Sequence, residues 1–88
     1  MEQTITTSIA HKMQQVAHQF RLGYEGAANA SLVELIDQIP QAADKLQPEQ
    51  KHQLANLVNT IVEAQQRHDT IYIADIIEYQ LAALFAQP

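Results

Sequence analysis

Few residues in this chain have the types and spacing that chemistry needs: four histidines, ten carboxylates, three tyrosines and no cysteine. Asp75 and Glu78 stand one helical turn apart, so both carboxylates point the same way. Asp69 extends the same acidic edge. Such a stripe suits a divalent cation or a basic partner, or it is simply a solvated face. A carboxylate-lined ligand or metal site built on it would recruit Glu34 or His68. Glu49-Gln50-Lys51-His52 supplies one Glu-x-x-His, whereas a di-iron bundle needs that motif on two helices and a further Glu on two more. Glu49 also falls at a helix start, where a carboxylate suits the dipole. His11 and His18 share a polar face with no carboxylate spaced to join them. With no cysteine, thiolate catalysis, disulfides and Cys-ligated zinc are all absent. There is no phosphate-cradling glycine loop and no Ser/His/Asp arrangement. The expectation is no catalytic residue, no cofactor and no resident metal.

The elements that must position these residues read as helices. Two glycines in 88 residues are too few for hairpins that need turn residues every 8–12 positions. Ile5, Ile9, Met13, Val16, Ala17, Phe20 and Tyr24 keep one helical stripe over 4–22, which Gly23 and Gly26 then end. Ser31-Leu32-Val33-Glu34 reads as a capping box opening a second helix over 31–46. Leu32, Leu35, Ile36 and Ile39 form its apolar face, and Pro40 kinks it. Pro48 suits a first helical position, and Leu54, Leu57, Val58, Ile61 and Val62 stripe a third helix over 49–67. Glu63 and Arg67 pair at i,i+4 on it. Asp69 caps a fourth over 70–86. Short connections make sequential helices antiparallel neighbours. The predicted fold is all-α, an up-and-down antiparallel four-helix bundle, in a single domain over 1–88. Phe20, Leu35, Leu57, Ile61, Ile77 and Leu81 are its expected core.

The last helix is apolar over an arc of roughly 200°, wider than the 100° or so that a surface helix needs. Ile73, Ile77, Leu81 and Leu84 centre the arc; Tyr72, Ile76, Tyr79 and Ala83 flank it on one side. Either the helix is central, or part of the arc is covered by a partner. Tyr72, Ile76 and Tyr79 are the expected interaction surface, because a tyrosine ring buries well while its hydroxyl stays bonded. Gln80 falls inside the arc, as a bonded buried amide or a partly exposed one near its edge.

The run Asp69-Thr70-Ile71-Tyr72-Ile73-Ala74-Asp75-Ile76-Ile77-Glu78-Tyr79-Gln80-Leu81 resembles a pattern in small helical bacterial domains of unknown function, D-Y-[IV]-x-[IL]-A-D-[IL]-[IL]-E-Y-E-[IL]. Asp69, Ala74, Asp75, Glu78, Tyr79 and Leu81 match as they stand. Thr70 stands for a Tyr and Gln80 for a Glu. The resemblance implies a helical domain of a bacterial cytoplasm and lends no catalytic residue.

Composition narrows the function classes. Net charge is −5, and Lys12, Arg21, Lys45, Lys51 and Arg67 are scattered. That balance disfavours phosphate backbones and anionic membranes alike. The first residues lack a basic stretch followed by an apolar run, and no stretch of about 18 apolar residues occurs. The expected protein is a cytoplasmic protein–protein interaction or accessory module whose partner is another protein or, as a homodimer, a second copy of itself. The alternatives are a secretion or assembly chaperone for a helical client, or the carboxylate-lined site described above.

Overall fold

The computed structural model of the chain describes residues 2–86, with side chains from residue 9 onward. It is all-helical, and no strand occurs among the described residues. The elements are α1 (Glu2–Arg21), α2 (Glu25–Ala43), α3 (Pro48–Gln66), α4 (Thr70–Asp75), a π-helical turn (Ile76–Leu81) and α5 (Ala82–Ala86). The last three run on as one C-terminal helix: Asp75, Ile76 and Ala82 at the junctions all keep right-handed helical dihedrals. A 20-residue helix rises about 30 Å, and α1 accordingly matches the 32 Å long axis of the molecule.

Two helix ends share one device. After α1, Gly23 adopts φ 80°. Its N–H donates to Phe20 O at 3.1 Å and the Tyr24 N–H to Gln19 O at 3.0 Å. This is a Schellman turn, which satisfies carbonyls the helix would otherwise orphan. After α3, His68 takes the same left-handed place at φ 57°. His68 N–H donates to Gln65 O at 3.0 Å and Asp69 N–H to Ala64 O at 2.9 Å. A non-glycine residue there costs about 1–2 kcal/mol. Asp69 then caps α4, accepting from the Tyr72 N–H at 3.3 Å. Pro48 opens α3 as its first residue, behind a reciprocal cap between Gln47 and Gln50.

Two expectations are corrected here. Ser31 does not cap α2: the helix begins at Glu25, and Ser31 is a buried interior residue. Ala27, Ala28 and Ala30 are strong helix formers and carry the helix back past Gly26. Pro40 lies inside α2, as expected, and the helix continues past it to Ala43. Tyr24 lies past the Schellman turn and is exposed rather than closing the α1 stripe.

α1 is the hub. Ile9, Met13, Val16, Ala17 and Phe20 are all buried, and α1 packs against both α2 and the C-terminal helix, while α3 packs chiefly on the C-terminal helix. Of the expected core, Phe20, Leu35, Ile61, Ile77 and Leu81 are buried; Leu57 is half-buried at the edge of α3.

The π turn rearranges the C-terminal helix. In an unbroken α-helix, seven residues at about 100° each bring Gln80 within about 20° of Ile73, in the middle of the apolar arc. The turn bonds the Ala82 N–H to Ile77 O, five residues back. That wider turn delays every later side chain. Gln80 is exposed, and Ile73, Ile76, Ile77, Leu81 and Leu84 converge on the core.

Candidate interaction surface

The exposed face of the C-terminal helix is held by α1. Arg21, the last residue of α1, donates from Nη2 to Asp75 Oδ1 at 2.9 Å and from Nε to Glu78 Oε1 at 3.4 Å. Its guanidinium lies 6.0 Å from the centre of the Tyr79 ring, within cation–π range. The Asp75 hydrogen bond raises the Arg21 pKa above its ordinary value, with both carboxylate charges adding to the effect. The Tyr79 phenol is also raised, because it hydrogen-bonds to Glu78 and faces that residue's charge. Two carboxylates against one guanidinium leave the cluster one negative charge in excess.

Asp75 and Glu78 are thus brought together, as the one-turn spacing required, but as partners of a cation rather than as an open pair. Tyr72 and Tyr79 are exposed at 40% and 63%, and Ile71, next to Tyr72, and Leu22, next to Arg21, are exposed apolar residues. Ile76 does not belong to this surface: it is 0% exposed. The physical reason is angular: three ordinary helical steps leave Ile76 only about 60° from Ile73, and the π turn then carries Leu81 to the same side, so that Ile76 and Leu81 face inward together.

The remaining candidates are dispersed. Glu34 pairs with Lys12 at 3.2 Å. His68 Nδ1 contacts Glu25, tying the α3–α4 turn to the start of α2. Gln65 and Asn29 add a side-chain bond of 3.1 Å between the same two regions. Arg67 lies 4.0 Å from Asp69. His52 and Glu49 are exposed at the start of α3. His11 and His18 line a shallow polar groove with Gln14, Gln15, Arg21 and Glu78. Among the described residues, no group of three His, Asp or Glu side chains converges as a metal site. No helix there is long and apolar enough to cross a membrane.

Arg21 is the member of this cluster that local sequence spacing does not indicate. Its partners are 54 and 57 residues away, and no local spacing announces such a pairing. Only the antiparallel alignment of α1 with the C-terminal helix brings it to the acidic stripe. Comparison with protein-family models, curated proteins and solved structures gives no match to this chain.

Proposed function

We propose that the protein is a small acidic helical interaction module with no catalytic step. In this reading the four helices form an up-and-down antiparallel bundle, with α2 bent at Pro40. Helix-to-helix pairs within the chain support the arrangement: Arg21 with Asp75, Lys12 with Glu34, and Gln65 with Asn29. The bundle docks a protein partner, in the first instance a second copy of itself, through Tyr72 and Tyr79.

The observation that carries this reading is the exposure of two tyrosines seven residues apart on one helix whose opposite side is fully buried. A tyrosine presents a large rigid ring at low entropic cost and is favoured at the centre of interfaces. The Arg21–Asp75–Glu78 cluster supplies the polar edge. A domain of this size hides only about 60–65% of its unfolded-chain surface, so a partner adds substantially to burial.

The test is sedimentation velocity from low to high micromolar concentration, on the wild type and on Tyr72→Ser/Tyr79→Ser. Reversible dimerisation lost in the double variant, with its thermal midpoint kept, supports the reading. A wild type that stays monomeric throughout removes self-association through this face.

A further inference from the structure

A second feature lies farther along the same seam, towards both chain termini. Between α1 and the C-terminal helix, a pocket of about 200 Å³ is lined by Ile9, Ala10, Met13, Gln14, Glu78, Ala82, Phe85 and Ala86. Ile9 and Met13 are buried core residues, so the pocket reaches the core itself. Well-packed interiors leave few voids larger than a water molecule. A dry apolar cavity of about 150 Å³ is enough to hold benzene, whereas drug-sized ligands need about 300–1,000 Å³. The occupant that fits has an apolar body no larger than one ring or a short alkyl chain.

Charge decides what the other end of that occupant must be. Gln14 and Glu78, the two polar residues of the wall, also line the polar groove that holds Arg21, His11 and His18. A ligand seated in the pocket therefore leads its head group past Glu78. Among the described residues that line that groove, Arg21 is the only permanent cation, and it already faces both Asp75 and Glu78. The local balance is one negative charge in excess, inside a chain of net charge −5. An anionic head would be repelled by the wall it must pass. An ammonium head is attracted by it.

We propose that this pocket binds a small amphipathic cation, its apolar body against Ile9, Met13 and Phe85 and its ammonium group at Glu78. The proposal does not rest on the tyrosine face being an interface; the two adjoin at Glu78, which lines the pocket and neighbours Tyr79.

Hexylammonium, hexan-1-ol and hexanoate serve as probes of matched length, titrated at pH 8, where the alkylammonium is protonated and the carboxylate ionised. Amide chemical shifts are the readout. Hexylammonium is expected to give saturable shifts around Met13, Ala82 and Phe85, and to bind at least about threefold more tightly than hexanoate, the range of an exposed charge pair. Glu78→Gln should erase that preference while Asp75 keeps Arg21. Ala10→Leu and Ala86→Leu, both at exposed positions, should narrow the pocket and remove binding of all three probes with the fold intact. Hexanoate binding as tightly as hexylammonium overturns the proposal, as does binding that survives both leucine variants. The same holds if no probe saturates. Shifts at these residues on simple concentration, without any probe, would assign the pocket to a second copy and also end it.

Discussion

Arg21 at the end of α1 and Asp75 in the C-terminal helix meet at 2.9 Å across 54 residues of sequence. The pair fixes how far α1 slides along its neighbour. Both partners are partly solvent-exposed, at 31% and 47% of the side chain, so the contact sets register and local charge more than stability. Arg21 also carries Tyr79 and Glu78 with it. One residue of α1 thereby organises the most exposed stretch of the C-terminal helix.

Truncation of the core should separate the helices by depth. Ile77→Ala and Leu81→Ala remove fully buried side chains and are expected to cost about 2–5 kcal/mol each. Leu57→Ala, at a half-buried site, should cost clearly less. Urea midpoints for the three variants give the order directly, and an equal loss at Leu57 would mean that α3 is packed more tightly than its exposure indicates.

Charge insertion distinguishes the inner residue of the tyrosine stretch from the outer ones. Ile76→Glu places a carboxylate where nothing is exposed, and burial of an unpaired charge is severely destabilising. The variant should fail to fold cooperatively at neutral pH. Tyr72→Glu should melt close to the wild type. Circular dichroism melts of both variants check this, and a folded Ile76→Glu protein would contradict the inward direction assigned to that side chain.

The Tyr79 phenol should ionise above the ordinary tyrosine value of about 10, because its neutral form donates to Glu78. A group raised in the folded state keeps its contribution at every pH below its unfolded value. That contribution disappears as the pH climbs through the raised value, so stability should decline on the alkaline side, by a small amount at so exposed a site. Ring-carbon chemical shifts followed against pH should show the late titration, and Glu78→Gln should bring it back towards the ordinary value.

The two glycines should respond oppositely to alanine. Nothing lies within 4 Å of a Cβ at either position, so sterics with neighbours play no part. Gly23 has φ 80°, and Gly23→Ala should cost about 1–2 kcal/mol. Gly26 lies in the first turn of α2, and Gly26→Ala should stabilise by about 0.5 kcal/mol. Chemical denaturation resolves both signs.

What was legible beforehand divides along physical lines. Helical periodicity gave the number of helices and the buried faces of α1 and α2, because an apolar stripe is a property of the local chain. Pro48 and Asp69 announced their helix starts for the same reason. Ser31 misled, since a capping pattern has the same spelling inside a helix as at its end, and the alanines before it settle the matter. Ile76 misleads because it stands only about 60° from Ile73, on a flank whose cover depends on the π turn bringing Leu81 to its side. Arg21 was invisible as a site residue: its role exists only after two distant helices align.

The π turn makes the C-terminal helix equivalent to a straight helix with one residue spliced in. Remove Gln80 in thought and restore the usual step of about 100° per residue. Leu81 then arrives within about 20° of Ile73, and Leu84 arrives about 80° from it, on the side of Ile76. The inward set is recovered with one residue fewer. Length in this segment is therefore decoupled from surface: a chain carrying a one-residue gap at 76–81 could present the same inner and outer faces. In an alignment such a gap would mark an exchange of π for α winding rather than a lost element, and two helices of unequal length could be the same part.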